Sequence, residues 1–199
     1  MRKLILGGPG TGKTTRMLNL VEEELASGVS PRRIAFLTFT KKAANEAAES
    51  ALLRFGFKRQ ELPYFSTIHS LCWRRLGMQP QDLLGKADWQ VIGKLLGLDF
   101  GTNYNTSDGM FVSQPGNGDA LKNIVAFAEA TCMPLEDVFH TYTEDVDWFQ
   151  LKQYAQTLKQ YKTQFGKRDY NDMLTDYAEE GDPLEVDVAI IDEGQDLSH

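Results

Sequence analysis

Gly7-Gly8-Pro9-Gly10-Thr11-Gly12-Lys13-Thr14 gathers four glycines, two threonines and a lysine within eight residues. Gly7 and Gly12-Lys13-Thr14 fit the spacing G-x-x-x-x-G-K-[ST]. Those residue types suit one task. Glycines let the backbone wrap closely around an anion, so that successive N–H groups point at phosphate oxygens. A helix beginning near Lys13 adds its positive end. Lys13 then reaches the β- and γ-phosphates of a nucleoside triphosphate, and the Thr14 hydroxyl binds Mg²⁺. An ordinary Gly-rich turn is the competing reading. Position weighs against it, because Leu4-Ile5-Leu6 reads as a short buried strand before the loop, and an amphipathic pattern follows it.

A phosphate loop needs an acid elsewhere. The apolar run Val186–Ile191 (VDVAII) ends in Asp192-Glu193-Gly194-Gln195-Asp196. Asp192 is the candidate to hold Mg²⁺, directly or through water, and Glu193 to orient and deprotonate an attacking water. Alone, such acids read as surface groups ending a strand. Beside a phosphate loop they gain weight, because strand-end acids belong at the carboxyl edge of a parallel sheet, where that loop also lies.

The elements that must position these groups are legible in outline. Met17, Leu18, Val21 and Leu25 recur at helical spacing, and Gly28 ends that helix. Ile34–Thr40 (IAFLTFT) is a second strand, KKAANEAAESALLRF a helix, Pro63–Ile68 a third strand and Ser70–Leu76 a helix. Strand–helix alternation predicts an α/β parallel sheet. Residues 79–165 read as a helical insertion with no strong strand, interrupted by a polar loop from Gly101 to Gly118 and closing on one long helix, Trp148–Phe165. The division expected is therefore residues 1–78 with 166–199 as the core, and 79–165 as the insertion.

The chain has 199 residues, 42% hydrophobic and 25% charged, enough for one substantial core with an insertion. No apolar run approaches the ~18 residues of a membrane span, so no membrane association is expected. Cys72 and Cys132 suit a reducing, cytoplasmic setting. The net charge of −7 is unevenly spread. Residues 1–75 hold 13 Lys/Arg against 6 Asp/Glu, and the remainder 8 against 22. A basic front half permits a polyanion site, although a solvated surface of uneven charge is the plainer reading.

In order, GGPGTGKT, FLTFTKKAANE, FSTIHSLCWRRL, DYNDML and AIIDEGQD resemble the N-terminal motifs of UvrD/Rep-type superfamily 1 DNA helicases. The resemblance covers residues 3–76 and 168–198. It implies a RecA-like P-loop NTPase core with ATP and Mg²⁺ as cofactors, bound along Gly7, Gly8, Pro9, Gly10, Thr11, Gly12, Lys13, Thr14, Thr15 and Arg16. It implies single-stranded DNA as partner, contacted by Thr38, Phe39, Thr40 and Lys41 in one motif and by Thr67, His69 and Ser70 in the next. Small hydroxyls and N–H groups at strand–helix junctions suit phosphates, and an aromatic can stack on a base. Core packing is the alternative for Phe39 and the favoured reading for Phe65. Gln195 resembles the glutamine that links the γ-phosphate to the DNA-gripping elements.

The sequence departs from the family pattern in three places. Only six residues precede Gly7, where an adenine-reading segment is usual. Thr15 separates the GKT triplet from Arg16, and Gly194 replaces a frequent aromatic. The family also continues into a second RecA-like domain in cis, carrying an arginine finger. An arginine finger contributes ~10³–10⁵ in rate. The 199 residues by themselves are therefore expected to bind Mg·ATP, turn it over slowly and separate no strands. The full protein is expected to move 3′-to-5′ along DNA. The alternative is a P-loop regulatory module without unwinding activity. A small-molecule kinase is a weaker third reading, since FLTFTKKAANE has no role in one.

Overall fold

A computed structural model describes residues 11–105, 111–114, 116–141 and 146–192. The strand expected at residues 3–6 lies outside them. The chain forms two compact units. One holds the described residues through Gly77 together with those from Tyr177 on, and the other runs Met78–Asp176.

The first unit is built on three strands, β1 (Ile34–Thr38), β2 (Phe65–Thr67) and β5 (Val188–Ile191). They form a parallel sheet in the order β2-β1-β5. The central strand β1 is buried at all five positions, as a strand covered on both faces must be. Its side chains alternate between two cores. Ile34 and Phe36 face α1 (Lys13–Ala26) and α2 (Lys41–Phe55), packing with Met17, Val21, Ala47 and Ala51. Ala35 and Leu37 face the other way, onto Leu71 of α3 (Ile68–Arg75) with Ile68 and Val186 beside it. Phe65 is fully buried and stacks on Phe36, ring centroids 5.4 Å apart, so its role is packing.

The two strand–helix junctions are capped by their own sequence. Thr40 Oγ1 accepts from the Ala43 N–H at the start of α2, and Thr67 Oγ1 from the Ser70 N–H at the start of α3. Each threonine thus satisfies one of the orphan donors of a helix N-terminus. α2 ends on Gly56 in the left-handed region, φ 71°, which glycine adopts without steric cost.

The second unit is mainly helical: α4 (Lys86–Leu96), α5 (Asp119–Ala130), α6 (Leu135–Thr141), α7 (Trp148–Phe165) and most of α8 (Tyr170–Glu180), which crosses the division between the units. Ile92, Leu121, Ile124, Leu151, Tyr154 and Leu158 form its core. Residues 79–165, expected to hold no strong strand, contain one short pair. Thr102–Asn105 (β3) and Phe111–Gln114 (β4) pair antiparallel, Thr102 opposite Gln114. The runs are short and TNYN is polar, so neither carries an apolar alternation. The overlooked signals were the β-branched and aromatic residues flanking Asp108-Gly109, a hairpin dipeptide.

Candidate functional site

Parallel strands all end at the same edge of their sheet, so the residues just past those ends are brought together whatever their separation in sequence. Thr38 lies opposite Thr67 in the β1–β2 register, and Leu37 opposite Ile191 in the β1–β5 register. The Asp192 N–H donates to the Leu37 carbonyl at 2.8 Å, which fixes the acid beside the end of β1. Thr67, Thr38 and Asp192 therefore stand in a row along the carboxyl edge. All three are buried.

The loop side chains beyond this row are partly constrained. The Thr38 hydroxyl donates to the Thr40 carbonyl at 2.9 Å, tightening the turn into α2. The Thr67 hydroxyl donates to Ser70 Oγ at 2.7 Å while accepting from the Ser70 N–H. Phe39 is 38% exposed and meets the half-buried His69 edge-on, centroids 6.1 Å apart and planes at 79°. Burial pushes the His69 imidazole below its ordinary pKa, so it is held neutral at pH 7. Lys41 is exposed in the first turn of α2. The edge thus presents hydroxyls, an aromatic face, a neutral imidazole and a lysine within two adjacent junctions.

At the other candidate segment, Gly12 caps α1 in the left-handed region, φ 79°. Thr11, Thr14, Thr15 and Arg16 are exposed and Lys13 is half-buried in the first helical turn. Arg16 donates to Glu23 at 3.0 Å along the same helix. Gly7, Gly8, Pro9 and Gly10, and Glu193 and Gln195 after the acid strand, lie outside the described residues.

Five of the thirteen bases in the front half, although exposed, bond back onto the protein itself. Arg33 forks onto Asp187, Arg54 bonds Asn19 and Glu22, Arg59 bonds the Phe65 carbonyl, and Arg74 bonds Ser66 and the Pro63 carbonyl. Arg75 bonds the carbonyls of Asp182 and Pro183. These side chains therefore help tie the α/β unit together, two of them through acids and three through carbonyls or a hydroxyl. Nothing in composition or spacing marks these pairs, whose partners are acids remote in sequence, a nearby hydroxyl or backbone carbonyls.

In the helical unit, Glu129, Asp169 and Asp172 offer carboxylate oxygens within 4.8 Å of one another, a grouping that could hold a metal ion. Lys162 Nζ already lies 2.5 Å from Asp169, 2.9 Å from Asp172 and 3.7 Å from Glu129. Burial opposes the charge on this ammonium, but the three carboxylates outweigh it and raise its pKa. The lysine does the work a cation would do there. Among the described residues, no helix is long and apolar enough to cross a membrane.

Comparison with known proteins gives this arrangement a family. Over 77 residues the chain is 39% identical to the ATP-dependent DNA helicase PcrA of Staphylococcus aureus, a stretch covering 37% of this chain and 10% of that protein. It is 39% identical over 87 residues to a probable DNA helicase II homolog of Rickettsia felis, covering 40% of this chain and 12% of that one. A homolog of the same description from Mycoplasma capricolum is 38% identical over 72 residues, 34% of this chain and 9% of that one. The matched stretches thus span about a tenth of the relatives' own length. The family described as the UvrD/REP helicase N-terminal domain matches residues 2–199, and the chain belongs to it.

Proposed function

We propose that the chain is the ATP-binding part of a motor that moves 3′-to-5′ along single-stranded DNA, with a RecA-like core formed by residues 1–78 and 166–199 and an insertion over 79–165. Mg·ATP sits on the loop Gly7–Arg16. Lys13 bonds the β- and γ-phosphates. The Thr14 hydroxyl and the Asp192 carboxylate are hard oxygen donors of the kind Mg²⁺ takes. Magnesium supplies charge neutralisation of the phosphates when bound. Glu193 orients and deprotonates the attacking water, and Gln195 relays the state of the γ-phosphate toward the DNA-binding junctions. Thr38, Phe39, Thr40 and Lys41, with Thr67, His69 and Ser70, hold the DNA strand.

The observation that carries this reading is the row Thr67, Thr38, Asp192 along one sheet edge. It brings a candidate metal ligand alongside both candidate DNA junctions. The run of α1 supports it as well. A short connection joins the end of α1 at Ala26 to the start of β1 at Ile34. Arg54, near the end of α2, bonds Asn19 and Glu22 in the middle of α1. Since α2 begins at the carboxyl edge and runs away from it, these ties favour an α1 whose first turn, with Lys13, points back toward that edge.

The test is fluorescence titration of mant-ATP with Mg²⁺, and of labelled oligo-dT by anisotropy, on the parent chain and its variants. Lys13→Ala is expected to abolish nucleotide binding and to leave oligo-dT affinity unchanged. Thr38→Ala and His69→Ala are expected to do the reverse. Nucleotide binding retained in Lys13→Ala removes the phosphate loop. Unchanged DNA affinity in both other variants removes the DNA path. In the full reading frame, ATPase stimulation by oligo-dT separates a motor from a regulatory module.

A further inference from the structure

The strand that leads to Asp192 carries little information about its own register. Every residue of β5 is apolar, and Val186, Val188 and Ile190 recur at alternating positions before the acid. Val188 lies opposite Ile34 and Ile190 opposite Phe36, and both pack on the core shared with α1 and α2. A shift of two residues would put Val186 opposite Ile34 and Val188 opposite Phe36. Apolar side chains would still meet that core, because a strand repeats its faces every second residue. The backbone bonds of a parallel ladder are the same in either register. Asp192, however, would stand about 7 Å farther out along the strand direction. The opposite shift is self-limiting, since it would bury the Asp192 carboxylate against Phe36.

A polar pair at the amino ends of the strands is specific to the observed register. Arg33 immediately precedes β1, and Asp187 immediately precedes β5. Arg33 Nε and Nη2 donate to Asp187 Oδ2 and Oδ1, each at 2.6 Å. The Asp187 N–H donates in return to the Arg33 carbonyl at 2.8 Å. A two-point fork of guanidinium on carboxylate fixes orientation as well as distance. The hydrogen bonds from Arg33 hold the Asp187 carboxyl below its ordinary value, so the pair is charged at neutral pH. Both side chains are about half exposed, and a pair in such a setting adds little to overall stability. Its specificity lies in position. A two-residue shift carries Asp187 past Arg33 and breaks the fork.

We propose that Arg33 and Asp187 are positioning residues for the nucleotide site: their fork fixes the register of β5 and thereby the place of Asp192 at the carboxyl edge. They act from the opposite edge of the sheet, through the strand. The proposal rests on the reading of Asp192 as a magnesium ligand.

Two measurements on the 199-residue chain test it. NMR reads the register from NOEs between the Asp192 amide and the backbone protons of Leu37 and Thr38. Fluorescence of mant-ATP reads the Mg²⁺ concentration needed for half-maximal binding. Asp187→Arg sets two like charges side by side. It is expected to remove those NOEs and to raise the Mg²⁺ requirement at least about fivefold, the scale of one exposed ion pair. Binding of mant-ATP in EDTA, which needs no metal ligand, should stay unchanged. Adding Arg33→Asp restores the pair in reverse and should recover both the NOEs and the Mg²⁺ requirement. Arg33→Gln is the milder variant, should Asp187→Arg fail to fold, and is expected to act in the same direction by about twofold. The proposal is overturned if these variants keep both the NOEs and the Mg²⁺ requirement, if that requirement rises with the NOEs intact, or if the reversed pair behaves like Asp187→Arg alone. NOEs that move with no change in the Mg²⁺ requirement overturn instead the reading of Asp192 as a magnesium ligand.

Discussion

Buried polar side chains serve different ends in the two units. In the α/β unit, Thr38, Ser66, Thr67 and Asp192 are buried at or next to the carboxyl ends of strands, along one rim. In the helical unit, Asp88 accepts from the Tyr161 hydroxyl at 2.8 Å and the Gly85 N–H at 2.7 Å, with Lys167 Nζ at 3.2 Å, and Lys162 gathers three acids. The first set sits where backbone geometry delivers groups to a surface. The second set closes on itself and ties α7 to α4 and to α5 and α8. Polarity at the sheet edge is bound into local strand–helix turns, while polarity between helices joins one helix to another. Tyr154 is an exception, buried with its hydroxyl unpaired among the described residues.

This contrast can be broken by measuring stability in urea across both units. The largest loss is expected from Lys162→Met, about 3–5 kcal/mol, because it leaves three acids facing one another without their counter-ion. Asp88→Ala should cost about 2–3 kcal/mol, since it strips a helix start and leaves the Tyr161 hydroxyl without its acceptor. The same residue predicts a pH dependence. Burial alone would raise the Asp88 carboxyl, but the Gly85 N–H, Tyr161 and Lys167 outweigh it and hold it below the ordinary 3.8. Its contribution is present above that value and disappears as pH falls from there toward the folded value. Acid titration of the parent should show this loss, and Asp88→Ala should lack it.

Smaller effects are expected at the sheet edge. Thr67→Ala removes the cap of α3 and should cost about 1 kcal/mol. Asp192→Asn keeps size and shape and should cost about 1 kcal/mol, less than Asp88→Ala. If Asp192 holds Mg²⁺ as proposed, the same variant should weaken Mg²⁺-dependent mant-ATP binding at least about tenfold. If Asp192→Asn destabilises the chain as much as Asp88→Ala, the distinction between local polarity at the rim and helix-joining polarity in the interior fails.

What was readable in the sequence followed local rules. α2 and α7 occupy the spans their patterns suggest, Lys41–Phe55 and Trp148–Phe165, because an alanine-rich run and a long amphipathic run each carry their own periodicity. Strand ends were set less sharply. Ile34–Thr40 as read became Ile34–Thr38, since Thr40 leaves the sheet to cap a helix. The β3–β4 hairpin escaped notice because its strands are short and one is polar. The Asp88–Tyr161 bond joins residues 73 apart, and the lysine cluster links α5, α7 and the start of α8. No window along the chain contains those partners together. The partners of the front-half arginines stay hidden in the same way, since their number is legible in the sequence and their contacts are not.

One quiet feature sets the height of the candidate DNA junction above the sheet. The inner face of α2 is Ala44, Ala47, Ala48 and Ala51, two of them with no exposed surface at all. Methyl groups let this helix settle close onto Phe36 and Phe65, and its first turn carries Lys41 and the Thr40 cap. A bulkier side chain at Ala47 would act as a shim under a lever, tipping the helix and carrying that turn away from Thr38. Volume at a position that touches no ligand would then dictate how the strand-end hydroxyls and the lysine are spaced.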